Sequence, residues 1–335
     1  MTIDSLNDFR DLLADLPNPD AKAAERARAR QGELTKPPGS LGRLEDLAVW
    51  LASWQGAPRL DKPLALVFAG NHGVVARGVS AFPGEVTAQM VANFTSGGAA
   101  INQLTNAFGA SLKVIPLDLD RPTADFCDAP AMSHADCVRA IKTGWNAVET
   151  DCDVLLLGEM GIGNTTAAAA LCAGLFGGTG VDWAGPGTGL DKKGVLDKAA
   201  VIDLGLERHG AALGDPLECL ARLGGRELAA IAGAAACARH NKIPVLLDGF
   251  ITAAAVAPLF KMNNSALDHC VAAHVSGEPA HRRLLDRLGL DPLLDLGMRL
   301  GEASGAALGL AILQGAVATH TGMATFAEAS VSGKN

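Results

Sequence analysis

Apolar runs of strand length recur along the middle of the chain, and several are followed by a glycine-containing turn and a helix-like pattern. Their residues are nearly continuously apolar, which is typical of strands buried on both faces of a parallel sheet. Repetition of strand, turn and helix predicts crossover units and a doubly wound α/β fold. The runs are LALVFAG (64–70), LKVIPLDLD (112–120), DVLLLG (153–158), IPVLLDG (243–249) and HCVAAHVSG (269–277).

The two ends of the chain lack such runs and show mainly helical patterns. We therefore predict a large α/β domain over residues 61–284 and a small helical domain built from residues 1–60 and 285–335. The stretch GAALGLAILQGAVATHTG near the end meets polar residues before it reaches the length of a membrane span. It predicts a buried helix rich in alanine and glycine, so we expect no membrane association.

Composition narrows the classes of partner and compartment. The net charge of the 335 residues is −8 and aromatic residues are 4%, so the cations and stacking rings of a nucleic-acid binder are missing. The amphipathic N-terminus does not resemble a signal peptide. Seven scattered cysteines form no CxxC pair, which favours reduced thiols in the cytoplasm over a zinc or disulfide framework.

Polar residues stand at the ends of all five predicted strands. In open parallel sheets, ligands bind at the carboxyl ends of the strands, so these residues predict the rim of a pocket. The alternative for each one is a turn residue, because Asp and Asn bond their own backbone. The residues are Asn71, His72, Asp118, Asp120, Glu159, Asp248, Ser276 and Glu278.

The turn GEMGIGNTT (158–166) joins a strand to an alanine-rich helix. Gly161 and Gly163 allow backbone N–H groups to face a ligand, and Asn164 or Thr165 is expected to cap the helix, whose N-terminus favours an anion. The turn matches neither GxxxxGK(S/T) nor GxGxxG, so it predicts a monophosphate site rather than a triphosphate or dinucleotide site. A capped tight turn without a ligand is the alternative.

Two further segments carry charges that could serve a phosphate or a proton transfer. The loop GPGTGLDKKGVLDK (185–198) supplies three lysines, of which we expect Lys192 and Lys193 to be solvated and Lys198 to be available for a phosphate. In RLGEASGAALGLAI (299–312), Glu302 precedes a very apolar helix. Either it is a favourable helix-terminal acid, or burial raises its pKa into the range of a general base.

Seven ordered segments resemble one enzyme family. They are KPPGSLGRLEDLA, AGNHGVVARGVSAFPGEVTAQMV, GEMGIGNTTAAAAL, GPGTGLD, PVLLDGFITAAA, HVSGEPAH and RLGEASGAAL. Together they resemble the nicotinate-nucleotide–dimethylbenzimidazole phosphoribosyltransferases of cobalamin lower-ligand synthesis, over nearly the whole chain. The resemblance implies a Rossmann-like sheet with a small helical domain, a homodimer and no cofactor. It also implies two substrates, nicotinate mononucleotide and 5,6-dimethylbenzimidazole, which give α-ribazole 5′-phosphate and nicotinate.

The resemblance also implies roles for particular residues. Glu302 corresponds to the general base of the family and Glu159 to its second important carboxylate. The benzimidazole pocket corresponds to Ser80, Gln89 and Leu300. The phosphate site corresponds to Gly161, Gly163, Asn164, Thr165, Lys198, Ser276 and Gly277. Asp248 is a further candidate for substrate binding from its place at the end of a predicted strand.

Two positions depart from the family pattern, and two alternative functions stay open. Phe82 stands where the family usually has Tyr, and Ala303 stands where Gly often follows the general base, so we expect its methyl group to narrow the pocket.

One alternative function is a related nucleotide glycosyl transferase or hydrolase with another acceptor. The other is a non-catalytic protein that binds a nucleotide or a benzimidazole.

Overall fold

Five parallel strands form a single sheet in the computed structural model, which describes residues 3–332. The strands are β1 (Pro63–Ala69), β2 (Ser111–Pro116), β3 (Val154–Met160), β4 (Val245–Leu247) and β5 (Cys270–Ala272), and their order across the sheet is β2-β1-β3-β4-β5. All four strand pairs are parallel. The predicted parallel α/β fold is therefore confirmed, and each strand lies within one of the five apolar runs or overlaps it.

Helices surround this sheet in the described part of the chain. They are α1 (Leu6–Ala14), α2 (Ala21–Glu33), α3 (Arg43–Gln55), α4 (Glu85–Thr95), α5 (Ala100–Phe108), α6 (His134–Ala147), α7 (Asn164–Phe176), α8 (Gly180–Trp183), α9 (Lys192–His209), α10 (Pro216–Leu223), α11 (Arg226–His240), α12 (Phe250–Met262), α13 (Pro279–Leu288) and α14 (Ser304–Gly322). Short 3₁₀ turns span Gly73–Arg77 and Gly210–Gly214.

Successive side chains of the central strands enter two different apolar cores, because strand residues alternate between the faces of a sheet. Leu64, Leu66 and Phe68 of β1 join the core with α6, α7, α11 and α12. Ala65 and Val67 of the same strand join the core with α3, α5 and α14. Helices therefore cover both faces, which explains the continuous apolar sequence of β1 and β3.

The edge strand β2 is less buried than its apolar sequence led us to expect. It pairs on one side only, with β1, and its residues are exposed or half-buried. The prediction of burial on both faces is wrong for this strand, because the helices do not fully cover the sheet edge.

The terminal helices pack in two places. Helices α2 and α3 pack together, and α14 packs on α3 and α5. Arg30 of α2 donates from Nε to the carbonyl of His320 over 2.7 Å. Helix α1 instead contacts α12, and the His240 ring lies 2.9 Å from the carbonyl oxygen of Leu12. The division of the chain into two domains stays a prediction. No helix within residues 3–332 has the length and hydropathy to cross a membrane.

Candidate active site

A cavity of about 280 Å³ opens at the carboxyl ends of β3, β4 and β5. It is bounded by the turns after these strands, by the loop 187–188 and by residues 299–301 before α14. A larger groove of about 700 Å³ lies between α2 and α3, and none of the predicted site residues lines it. The cavity is lined by Phe82, Glu159, Met160, Gly161, Ile162, Asn164, Thr165, Gly187, Thr188, Gly249, Phe250, Ile251, His274, Ser276, Glu278, Arg299, Leu300 and Gly301.

The turn after β3 brings a carboxylate and a helix N-terminus to the same wall. Gly163 precedes α7 with a φ of 91°, a left-handed value that glycine adopts without strain. The predicted cap is wrong, since no described side chain caps α7: the Asn164 amide donates to Glu159, and Thr165 accepts from a lysine. The N–H groups of Asn164 and Thr166 donate to the carbonyls of Gly161 over 3.2 Å and Gly163 over 3.0 Å. Among the described residues, the N–H of Thr165 is the first-turn donor left for an anion.

That lysine is Lys198, which lies behind the wall formed by Thr165. Its Nζ donates to Thr165 Oγ1 over 3.1 Å and to the carbonyl of Gly185 over 2.9 Å. Only 1% of the residue is exposed, and burial lowers the pKa of its ammonium group to about 8. Glu278 accepts from the N–H of Gly187 over 3.0 Å and fixes the same loop. A buried cation therefore stands beside the helix N-terminus, as a phosphate requires.

Glu302 is held in a strained backbone next to Glu159. Both Glu302 and Ala303 have a φ of 63°, which is uncommon for residues with a side chain. The Glu302 N–H donates to the carbonyl of Glu159 over 3.2 Å. Strain of this kind costs about 1–3 kcal/mol per residue and is concentrated at functional sites.

The environment of Glu302 favours the neutral acid. The residue is 4% exposed, and its Oε2 has no hydrogen-bond partner within residues 3–332. Burial, followed by the charge of Asp248, raises the pKa of Glu302 to about 7. Burial, followed by the charges of Asp248 and Glu227, raises the pKa of Glu159 well above its ordinary value. Burial therefore raises the pKa of both carboxyl groups, and it brings that of Glu302 near neutral pH.

Asp248 joins the end of β4 to the start of α14. Its Oδ1 accepts from the N–H groups of Gly305 over 2.7 Å and Ala306 over 3.0 Å. The residue is 1% exposed. It therefore fixes the first turn of the helix that Glu302 and Ala303 precede, and places a second negative charge near Glu302.

The mouth of the cavity is apolar. Phe82 is 50% exposed and Leu300 is 56% exposed, although both line the cavity. The Phe82 N–H donates to Ser80 Oγ over 3.2 Å, and Ser80 Oγ lies 3.2 Å from Thr188 Oγ1. Two exposed apolar side chains at the mouth of the cavity suit a flat aromatic ligand.

The methyl group of Ala303 does not narrow the cavity, so that expectation is wrong. Ala303 is fully buried, and its Cβ and backbone N pack against Gly158, where a side chain on the glycine would overlap them. The positive φ at Ala303 gives a physical reason for glycine at this position.

The structure brings most of the predicted site residues together. Those that line the cavity are Glu159, Gly161, Asn164, Thr165, Ser276 and Leu300. Those adjacent in sequence or hydrogen-bonded to lining residues are Gly163, Lys198, Asp248, Gly277, Glu302 and Ser80. Gln89 is exposed on α4 and outside this set. Their individual roles stay predictions.

The predicted rim is wrong at β2. Asp118 and Asp120 are exposed, and Asp118 pairs with Arg121 over 2.8 Å. Because β2 is the sheet edge farthest from β4 and β5, its end is far from the cavity. Lys192 and Lys193 are exposed, as expected.

Sequence reasoning missed several lining residues, most importantly Thr188, Phe250, His274 and Arg299. Arg299 donates from Nη1 to the carbonyl of Gly187 over 2.9 Å and joins two walls of the cavity. His274 stands two residues before Ser276, so its place after β5 was a signal available in the sequence. Within residues 3–332 no group of three His, Cys, Asp or Glu side chains could hold a metal ion.

A family model described as phosphoribosyltransferase matches residues 16–331. The chain belongs to this family. Its relatives include nicotinate-nucleotide–dimethylbenzimidazole phosphoribosyltransferases from Cereibacter sphaeroides, at 58% identity over 98% of both chains, and from Roseobacter denitrificans, at 59% identity over 98% of both chains. A relative of the same name from Mesorhizobium japonicum is 57% identical over 100% of both chains.

A crystal structure of the enzyme of that name from Thermus thermophilus has the same fold. Its TM-score is 0.86 at 39% identity, and the match covers 94% of this chain and 100% of that chain. The parallel α/β fold is thus shared with an experimentally determined relative, and the cavity of this chain lies at the carboxyl ends of the parallel strands.

Proposed function

We propose that the protein transfers the 5-phosphoribosyl group of nicotinate mononucleotide to 5,6-dimethylbenzimidazole, giving α-ribazole 5′-phosphate and nicotinate. The observation that carries this proposal is Glu302, a buried carboxylate with a pKa of about 7 and one oxygen that lacks a partner among the described residues. It lies beside a cavity whose other wall is a helix N-terminus backed by Lys198. The names of the relatives support the same reaction.

Glu302 serves as the general base in this proposal. The benzimidazole loses its N–H proton as its other ring nitrogen bonds to C1′ of the ribose, so one carboxylate must accept a hydrogen bond from that N–H. A pKa near 7 leaves a large ionised fraction at neutral pH. The flat base lies between the apolar side chains of Phe82 and Leu300 at the mouth.

The phosphate fixes the position of the mononucleotide. The N-terminus of α7, Thr165, Lys198, Ser276 and Gly277 form its site, and the charge of Lys198 supports it. Attack in line on the β-nucleotide inverts C1′ through an oxocarbenium-like transition state and gives the α product. Nicotinate leaves from a cationic pyridinium and needs no acid. Most of the rate then comes from holding the two substrates in line.

Glu159 supports the reacting centre from the end of β3. Its backbone carbonyl accepts a hydrogen bond from the N–H of Glu302, and its carboxylate accepts one from the side-chain amide of Asn164. Burial raises the pKa of Glu159 well above its ordinary value, and we propose that its side chain faces the ribose or the reacting base. Asp248 has an indirect role in this proposal: its carboxylate accepts hydrogen bonds from the first turn of α14 and so fixes the helix that follows Glu302.

Incubation with both substrates, followed by liquid chromatography and mass spectrometry, tests the proposal. We expect nicotinate and α-ribazole phosphate in equal amounts. Nicotinate with ribose 5-phosphate and no ribazole would indicate the hydrolase alternative. Substrate binding without any product from folded protein would indicate the non-catalytic binding protein. Either result contradicts the proposal.

We further propose a homodimer in the cytoplasm. The support for the dimer is the family resemblance. The compartment is supported by seven cysteines that are all free, six of them buried. Light scattering is expected to give twice the 34.3 kDa mass of the chain, and a monomer at assay concentrations would contradict the dimer.

A further inference from the structure

Helix α9 (Lys192–His209) turns one face to the protein and the opposite face to solvent. Its buried face carries Lys198, whose Nζ donates to Thr165 at the cavity wall over 3.1 Å. The opposite face carries Leu196 and Leu204, which are 61% and 48% exposed. A single exposed leucine is ordinary on a protein surface. Two on the same face of one helix form an apolar strip, which is typical of a contact surface.

The exposed face of α9 is symmetric about Ala200. Leu196 and Leu204 stand four residues before and after Ala200, and Lys193 and Glu207 stand seven residues before and after it. At about 100° per residue, the five side chains lie within a sector of about 80°, and all five residues are exposed. They form one continuous strip, the α9 seam, along about 21 Å of the helix.

The α9 seam is complementary to itself when two copies of the helix pack antiparallel. A two-fold axis beside Ala200 places Leu196 of one copy against Leu204 of the other, and Lys193 of one copy against Glu207 of the other. The contact then has an apolar centre and an ion pair at each end, as a two-fold interface between identical chains requires. The small side chain of Ala200 at the axis allows the two helices to approach closely.

Like charges on α9 do not oppose this pairing. Asp197 and Asp203 occupy symmetric positions about the centre of the seam, and so do Lys192 and Arg208. At about 100° per residue, the two members of each pair lie on opposite flanks of the helix, so the antiparallel arrangement keeps them apart. Lys193 Nζ also donates to Asp197 on its own helix over 2.7 Å. An ammonium group with three donors can keep that contact while it binds a second carboxylate.

The short helix α8 adds apolar surface beside the seam. Its Gly180 packs so closely on α9 that a Cβ there would lie 2.0 Å from the carbonyl oxygen of Ala199. The next residue, Val181, is 66% exposed. A stable interface buries about 800 Å² on each partner, and the seam with α8 supplies the apolar part of such an area.

We propose that the α9 seam is the centre of the homodimer interface, where two copies of the chain pack α9 antiparallel about Ala200. The inference rests on the proposed homodimer and gives that dimer a location. Because Lys198 projects from the buried face of the same helix, the interface supports the helix that carries the lysine of the proposed phosphate site.

Sedimentation equilibrium of the full chain measures the Kd of the dimer and tests this location. Leu196→Asp places a charge in the apolar centre twice per dimer, so we expect the Kd to rise at least about 100-fold. Leu296→Asp is the matched control, since Leu296 is equally exposed and lies outside α9. It should leave the Kd within about twofold of the native value.

Charge reversal tests the antiparallel register at exposed positions that do not affect folding. Lys193→Glu sets two carboxylates against each other at each end of the seam, so the Kd should rise about tenfold. The double variant Lys193→Glu/Glu207→Lys restores opposite charges, and its Kd should return to within about threefold of the native value. A double variant that dimerises no better than Lys193→Glu would overturn the register.

A native protein that sediments as a monomer would overturn the inference together with the proposed homodimer. A dimer that Leu196→Asp leaves intact would overturn the location alone. Sedimentation needs no substrate, so failure of the proposed transfer reaction is detected separately by the product assay.

Discussion

At the scale of single residues, burial raises the pKa values of two carboxyl groups that look ordinary in the sequence. Glu302 and Glu159 are joined by a backbone hydrogen bond, and both have raised pKa values. The pKa of Glu302, about 7, lies within the working range of a base. Sequence reasoning could identify Glu302 as a candidate from its apolar neighbours. It could not identify Asp248 as the second source of the shift, because that contact joins residues far apart in the chain.

The profile of kcat/KM against pH should have an acid limb, where kcat/KM rises, and an alkaline limb, where it falls. Glu302 must lose its proton to act as a base, so kcat/KM is expected to rise through pH about 7. Lys198 must keep its proton to attract the phosphate, so kcat/KM is expected to fall through pH about 8. Lys198→Arg, whose guanidinium stays charged, should remove the alkaline limb and leave the acid limb. A flat profile from pH 6 to pH 9 would contradict both assignments.

Stability should also depend on the ionisation of Glu302. Its pKa of about 7 in the folded protein exceeds the ordinary 4.5. The stabilising contribution of the neutral acid is therefore fully present below pH about 4.5 and lost as pH rises through about 7. Relative to Glu302→Gln, the native protein should lose about 3 kcal/mol between pH 4 and pH 8. Denaturant unfolding of both proteins at pH 4 and pH 8 measures their free energies of unfolding. If the difference between the two proteins is the same at both pH values, the pKa of Glu302 is not raised.

At the scale of elements, the sequence predicted the strands themselves more accurately than it predicted their order in the sheet or the cap of a neighbouring helix. Buried apolar runs indicated all five strands, because both faces of the inner strands meet helices. The edge position of β2 was missed, since strand order depends on contacts between distant segments. The cap of α7 was also predicted wrongly: Asn164 has the chemistry of a cap, but it is the first residue of the helix, and the cap position is occupied by Gly163, which has no side chain.

Replacement of Asp248 by Asn should lower the pKa of the base and leave the start of α14 in place. In Asp248→Asn the oxygen that accepts from Gly305 and Ala306 remains while the negative charge is lost. The acid limb of the rate profile is expected to move to lower pH, because the Asp248 charge raises the pKa of Glu302. Asp215→Asn, which alters the N-cap of α10, is the control and should leave the limb in place. A limb that does not move in Asp248→Asn would contradict the coupling.

The close crossing of α6 and α11 depends on glycine. A Cβ at Gly144 would overlap the carbonyl oxygen of Ala230. Gly144→Ala is therefore expected to destabilise the protein by about 2 kcal/mol or more. Gly315→Ala in α14 is the control, since no described atom lies within 4 Å of its Cβ position, and it should stabilise by about 0.5–1 kcal/mol. Thermal unfolding compares the two; equal effects would contradict the packing argument.

At the scale of the whole molecule, the fold collects residues from distant segments into one cavity. The turn after β3, the loop before α9 and the segment before α14 are joined by Lys198, Glu278 and Arg299. Motif order in the sequence was enough to predict the fold and most of these segments. It was not enough to find His274 or Arg299, because their importance comes from the groups packed around them.

The central claim is that Glu302 accepts the proton of the incoming base, and single-turnover transfer by Glu302→Gln tests it most directly. Glutamine keeps the size of the side chain and cannot accept the proton. We predict that the transfer rate falls by about 10²–10⁴-fold, while the Kd for nicotinate mononucleotide stays within about twofold. A variant that transfers at more than a tenth of the native rate would contradict the account.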